Sequence, residues 1–312
     1  MSNNICINTS ALESVSTDKI ETKKFDEKRC APGKNFEAGS CIVLPVLIEM
    51  VNAYNKTHKD KIKLSCRTEI LKPKRYKKYL LREIKNKYKN ICDGQLCWAQ
   101  QDFIKNMDEF MKAELEKFTF RPLGPNGRFE WLNTLNIDEV MNQYEMNIKE
   151  FSFLGAVPMD FQKINLKGVA DINIDKEVKD GVTKFGIIFN LDESWQSGSH
   201  WTAGFADVKN GHVYYFDSYG SPPEKRVIEL FKKFIYYYES KNEGKRCKIR
   251  VNRTRHQFEN SECGVYSINF ILELLNGKSF DEITKNRIKD REVNKLRKKI
   301  FRNPNFKSES EA

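Results

Sequence analysis

Seven residues, Arg121-Pro-Leu-Gly-Pro-Asn-Gly127, hold two prolines and two glycines and end any regular element that reaches them. The hydrophobic period changes across this break, and no other feature constrains the fold as much. Before it, apolar residues recur at helical spacing. Leu47, Ile48, Val51 and Tyr54 mark a helix over 44–54, and Tyr76, Leu80, Ile84 and Tyr88 mark a second over 75–90. A third is expected over 100–118. After the break, short strands alternate with helices. A helix over 136–148 begins at Asp138/Glu139 and turns Val140, Met141 and Tyr144 inward. Strands are expected at 185–191, 200–208, 212–217 and 248–253, and helices at 224–239 and 263–275, the last closed by Asn276-Gly277. The second part is therefore α+β around a central antiparallel sheet.

At 312 residues, 39% hydrophobic and 12% aromatic, the chain can bury a sizeable core. No window approaches the roughly 20 apolar residues of a membrane helix. The most apolar early stretch, 41–50, contains Pro45 and Glu49. The polar start of the chain gives no sign of a secretory signal, so no membrane partner is expected. Eight scattered cysteines form no disulfide framework and no paired CxxC, so they read as free thiols of a reducing compartment. Cys92 and Cys97 lie close in sequence but lack a second pair, and neither a metal nor a cofactor is expected. The net charge of +11 is concentrated: residues 56–89 hold 14 Lys/Arg against three acids. Within it Lys72, Lys74, Arg75, Lys77, Lys78 and Arg82 form a basic stripe interleaved with tyrosines. It reads either as a solvated helix face or as a contact for a polyanion such as DNA.

Four histidines are present: His58, His200, His212 and His256. Cys263, in Asn260-Ser-Glu-Cys-Gly-Val265, falls in the first turn of an apolar helix, with Ser261 as the expected cap. Unpaired N–H groups and the helix dipole favour a thiolate there, although a structural cysteine would occupy the same place. Gly264 leaves space beside the sulfur. His200 begins one strand and Asp217 ends its neighbour. A two-residue Asn210-Gly211 turn would leave them about 13 Å apart at ~3.3 Å per residue. A four-residue loop over 208–211 makes them diagonal neighbours, and a longer one makes them opposite, so the longer loop is expected. A thiol, an imidazole and a carboxylate in that order can run nucleophilic catalysis. Gln257, six residues before Cys263, is placed to aim an amide N–H at an oxyanion. It reads equally as an ordinary polar loop residue. His212 and His256 read as surface and structural residues.

His200-Trp201, then Phe216-Asp217-Ser218, then Gln257 with five residues to Cys263-Gly264, resembles the ubiquitin-like-protein (SUMO) protease superfamily of cysteine peptidases. Within it the likeness is to polyprotein-processing proteases of large DNA viruses of the African swine fever type. It is carried by Asn136-Ile-Asp-Glu139, Pro158-Met-Asp-Phe161, Arg255-His-Gln257 and Glu262-Cys-Gly264, and earlier by Ser40-Cys-Ile-Val43. The resemblance implies a papain-like or adenain-like core with a mixed, mainly antiparallel sheet flanked by helices, after a helical accessory region. It implies His200 as base, Asp217 as its orienter, Cys263 as nucleophile and Gln257 as oxyanion donor. Trp131 and Trp201 match the tryptophans that enclose a Gly-Gly substrate in SUMO proteases. Asp217 follows the SUMO branch, since the swine fever type is expected to carry Asn there. Three divisions follow: a flexible arm over 1–40, a helical basic domain over 41–125 and a protease domain over 126–312. The expected activity is viral endopeptidase cleavage of structural precursors at Gly-Gly-Xaa during virion maturation, in the host cytoplasm or the virion. The alternatives are removal of a ubiquitin-like modifier and a nucleic-acid-binding module without protease activity.

Overall fold

The computed structural model describes residues 6–7, 27–65, 72–127 and 129–302. The chain divides into two compact units, Met1–Pro122 with Phe301–Lys307 and Leu123–Ile300 with Ser308–Ala312.

In the first unit, strand β1 (Cys6–Ile7) pairs in parallel with β2 (Leu64–Ser65). Helices α1 (Leu44–Thr57) and α2 (Pro73–Tyr88) each carry a proline in the first turn, where its missing N–H leaves no bond unmade. The α2 stripe Tyr76, Leu80, Ile84 and Tyr88 is buried with Val46, Leu47, Met50 and Val51 of α1 in one core. A four-residue helix, α3 (Gln95–Trp98), follows. The single helix expected over 100–118 is instead two pieces, a 3-10 helix Asp102–Asn106 and α4 (Glu109–Lys117). Asp108 separates them, because its carboxylate accepts from the backbone N–H groups of Phe110 and Met111 and starts a new helix.

The arm expected over 1–40 lies mostly outside the described residues, but residues 27–40 are held in place. Cys30 is joined to Cys41 by a disulfide, and Ala31 and Ser40 are buried. A second disulfide joins Cys92 to Cys97. The reading of all cysteines as separate thiols is thus corrected for four of them. The residues of the basic stripe stand in different surroundings. Lys77 is buried and its ammonium donates to the Ser40 carbonyl at 2.9 Å, while burial pulls its pKa down. Lys74 pairs with Glu37 at 2.6 Å, and Arg82 lies beside Glu83 and over the Tyr79 ring. Lys78 is half-buried, Lys72 stands at the N-cap of α2 and Arg75 lies in its first turn. His58 stacks on Tyr54 at 3.9 Å.

In the second unit, α5 (Thr134–Asn147) begins two residues before the expected 136–148. Asn133 and Asn136 form a reciprocal capping box there. Strand β3 (Phe151–Val157), a 3-10 segment Leu166–Asp171 and α6 (Ile174–Lys179) follow. The remaining strands are β4 (Lys184–Asn190), β5 (Trp201–Asp207), β6 (His212–Phe216) and β7 (Lys248–Val251), with α7 (Lys225–Lys241) between the last two. The sheet order is β3-β4-β5-β6-β7. Its centre, β4-β5-β6, is antiparallel, but β3 and β7 run parallel to their neighbours, so the sheet is mixed rather than antiparallel throughout. Helix α8 (Cys263–Leu275) ends as its sequence predicts, followed by α9 (Phe280–Lys285), α10 (Asp290–Lys295) and α11 (Arg297–Ile300).

Helices α7 and α8 cover opposite faces of the sheet. A side chain at Gly204 would meet Phe231 of α7, whereas one at Gly186 would meet Ile271 of α8. Strand β5 is buried along its whole length as a result. The β5–β6 loop spans 208–211, because Asp207 pairs with His212. The Asp207 carboxylate holds it by accepting from the backbone N–H groups of Lys209 and Asn210. This register sets Ala203 opposite Phe216, so His200 and Asp217, just beyond the paired residues, are diagonal neighbours.

Candidate active site

His200 and Asp217 meet at the end of the β5–β6 ladder. The imidazole Nε2 donates to Asp217 Oδ1 at 2.6 Å, and both side chains are buried. The carboxylate is fixed before it meets the imidazole: Oδ1 also accepts from Tyr219 N, and Oδ2 from Ser221 N. The turn that makes this possible passes through Gly220 at φ +80°, where a side chain would strike the Arg253 carbonyl. Tyr219 lays its ring on the imidazole, centroids 4.5 Å apart and planes 14° from parallel. The stack fixes the ring plane and keeps water from the His200–Asp217 bond.

Cys263 is the first residue of α8 and is buried. Its sulfur is electrostatically coupled to His200, whose Nδ1 is left for it once Nε2 is committed to Asp217. Burial works against a charged imidazole, but the Asp217 carboxylate and the charge on Cys263 outweigh it and hold the His200 pKa at about 9. Burial raises the Asp217 pKa and the His200 bond lowers it, with the net effect downward. The imidazole is therefore placed to hold the proton that a thiol at a helix N-terminus gives up.

Ser261 does not cap α8. Glu262 stands at the N-cap position without a side-chain cap, and its carboxylate takes the Ser261 hydroxyl and N–H instead, at 2.6 and 2.9 Å. Asn294 of α10 donates to the same carboxylate, and Arg297 of α11 donates to the Ser261 carbonyl at 2.8 Å. The turn that launches Cys263 is thus latched from the C-terminal helices.

Gln257 is fully buried, and Ser218 holds it. The Ser218 hydroxyl donates to its side-chain carbonyl at 2.7 Å, and the Ser218 backbone carbonyl accepts from its N–H. One amide hydrogen goes to the Glu259 carbonyl, which leaves the second for a ligand. Trp201 is 5% exposed and donates its indole N–H to the Leu132 carbonyl at 2.8 Å, so it is a wall. Trp131, next to Leu132, is 48% exposed and accessible. Leu132 itself fills the space beside Gly264, where an added Cβ would lie 3.0 Å from it. The glycine therefore admits Leu132, a correction to the reading that it leaves open room at the sulfur. His256 is buried against the Thr284 carbonyl and Phe216, and His212 stacks on Tyr214. Sequence reasoning missed Ser218, Tyr219, Leu132, Glu262 and Arg297. Ser218 and Tyr219 were signalled only by following Asp217, and Arg297 reads as one more charge of a basic tail.

The model of the Ulp1 protease family, C-terminal catalytic domain, matches residues 168–307. A putative thiol protease of Acanthamoeba polyphaga mimivirus is 36% identical over 283 residues, covering 88% of this chain and 93% of that protein. The chain belongs to the Ulp1 protease family. As a member it is a cysteine protease, and its mixed five-stranded sheet flanked by helices is the family fold. A SUMO-1 cysteine protease of African swine fever virus is 28% identical over 228 residues, 68% of this chain and 83% of that one. The crystal structure of the African swine fever virus protease matches with a TM-score of 0.58 at 25% identity, over 80% of this chain and 94% of that one. The Ulp1-family match contains His200, Asp217, Gln257 and Cys263.

Proposed function

We propose that the protein is a viral thiol endopeptidase that cuts structural polyprotein precursors after Gly-Gly during particle maturation, acting in the host cytoplasm, the virion or both. The observation that carries the chemistry is the buried 2.6 Å bond between His200 and Asp217, with the imidazole facing Cys263 at the start of α8. The Cys263 thiolate adds to the scissile carbonyl, and the carbon–sulfur bond forms as the oxygen takes the negative charge. The Cys263 N–H and the free amide hydrogen of Gln257 stabilise that oxyanion. Collapse breaks the carbon–nitrogen bond, and His200 gives its proton to the leaving amine. His200, now neutral, takes a proton from water, whose oxygen attacks the thioester. Collapse breaks the carbon–sulfur bond, releases the carboxylic acid and returns the charge to sulfur, and the proton taken from water stays on the imidazole. Asp217 keeps the imidazole in one orientation throughout. The Trp201 wall, Leu132 against Gly264 and the accessible Trp131 support a narrow approach for glycine residues. Two viral relatives with protease names support the viral setting.

The test compares wild type with Cys263→Ala on two substrates, an unstructured peptide containing Gly-Gly-Xaa and a ubiquitin-like domain ending in Gly-Gly fused to a reporter. Cutting of the peptide, absent in the variant, is the expected result. Cutting of the folded fusion alone would replace this reading with removal of a ubiquitin-like modifier. Cutting of neither by the wild type rejects Gly-Gly specificity.

A further inference from the structure

A run of stacked side chains leads from the imidazole to solvent. It begins at Tyr219 on His200, at 4.5 Å. The Arg255 guanidinium lies 5.3 Å from the Tyr219 ring centre and 4.6 Å from that of Phe258. Arg287 lies over the same Phe258 ring at 4.1 Å. Each member is anchored at its base. Arg255 Nε donates to the Gln257 carbonyl at 2.9 Å, and Arg287 Nε to the His256 carbonyl at 3.0 Å. The Phe258 N–H donates to the Asp290 carboxylate at 3.1 Å. Two like charges thus share one exposed aromatic ring beside the reacting groups. Asp290 is buried and approaches Arg287 at 3.7 Å, but among the described residues no carboxylate pairs with Arg255.

We propose that Arg255, backed by Arg287, is a subsite for an acidic side chain in the segment that leaves when the peptide bond is cut. The proposal rests on the reading above, in which His200 protonates the leaving amine, because that step starts the leaving segment at the imidazole. From there the two stacking distances, 4.5 and 5.3 Å, bring the guanidinium within reach of the first three residues of an extended chain at ~3.3 Å per residue. Arg255 is suited to the task by its anchoring. Its Nε bond and two ring contacts fix the guanidinium plane and leave the terminal nitrogens to meet a carboxylate side by side. Arg287 adds positive charge, so a basic residue at the same place is repelled.

The experiment uses the full chain and Gly-Gly substrates, each made both as a peptide and as a folded ubiquitin-like fusion. Their first three leaving residues are all neutral, or carry one Asp, Glu or Lys at each position in turn. The readout is kcat/KM for the charged substrate divided by that for its neutral counterpart in the same enzyme. This ratio cancels any general loss of activity. In wild type, an acidic residue at one of the three positions is expected to raise the ratio to about ten, the effect of one charge-assisted hydrogen bond. Arg255→Gln brings it to about one, and Arg255→Glu inverts it so that Lys is preferred over Asp. A wild-type ratio near one at all three positions, or one unchanged in both variants, overturns the subsite while leaving the Gly-Gly reading intact. Failure of the wild type to cut even the neutral substrates in either form overturns that reading and the subsite with it.

Discussion

At the residue scale, the candidate site depends on one imidazole that is charged in spite of its burial. His200 has its pKa held at about 9, and the Asp217 carboxylate is the chief cause acting upward against desolvation. Replacing Asp217 with Asn keeps a hydrogen-bond partner but removes the charge. The alkaline limb of kcat/KM is then expected to fall by about one pH unit or more, with a loss of at least about tenfold in rate at neutral pH. A pH–rate profile of Asp217→Asn beside wild type checks this, and an unmoved alkaline limb would remove Asp217 from the charge balance. The same contact has a stability counterpart. The folded pKa lies above the ordinary 6.5, so its contribution is complete below about 6.5 and is lost as pH rises through about 9. Urea midpoints measured across that window should decline in wild type and decline less in Asp217→Asn. His200, Asp217 and Cys263 were legible because each sits at an element boundary that periodicity locates, whereas Gln257, in the loop between β7 and α8, was read from its spacing to Cys263. Tyr219 and Ser218 were not, since stacking on an imidazole and clamping a glutamine leave no period in a sequence.

At the scale of elements, the hairpin register decides whether an imidazole and a carboxylate can touch. The Asn210-Gly211 pair signals a turn, but Asp207 sets its length by bonding two backbone N–H groups of the loop. The expectation of the longer loop came from requiring His200 to reach Asp217, and four residues suffice, with the two as diagonal rather than opposite neighbours. Strand β3 was missed for a physical reason. Gly155 stands at φ +115° where the register shifts between Phe153 and Ala156, and this irregularity breaks the alternation that marks a strand. The start of α8 was read correctly, and its cap was not. A buried carboxylate one residue later competed for the Ser261 hydroxyl and N–H, while Arg297 of α11 holds the Ser261 carbonyl and sets its charge against that carboxylate. Arg297 is fully buried, and its Nε and Nη1 have no acceptor among the described residues. Arg297→Met removes the cation and leaves Glu262 as an uncompensated buried carboxylate, so a loss of about 3–5 kcal/mol is expected. Adding Glu262→Gln should recover part of it. Urea unfolding of the two single variants and the double variant measures the coupling, and purely additive losses would show that the two charges do not depend on each other.

For the whole molecule, the two units differ in how their cysteines are used, which composition alone hid. Cysteines scattered through a chain with no paired spacing read as separate thiols, but pairing depends on how the fold returns the chain on itself. In the first unit Cys30 meets Cys41 and Cys92 meets Cys97, with Cα–Cα distances of 5.3 and 5.4 Å. In the second unit Cys247 and Cys263 remain free. Of eight cysteines, then, no more than four should react with a thiol reagent when the protein is unfolded without reductant, and all eight with it. A loop of this length closed by a disulfide contributes roughly 2–3 kcal/mol. Because each unit has its own hydrophobic cluster, the loss on reduction should appear in one of them. Calorimetry with and without a mild reductant is expected to show one transition falling by about 10 °C while the other stays in place. A reductant strong enough to open both bonds leaves the Cys263 thiol available, so peptidase activity measured below the lowered transition should persist. If activity instead tracks the reduced fraction of the first unit, the disulfides serve catalysis as well as the stability of their own unit. If neither transition moves and eight thiols react from the outset, the pairs do not form.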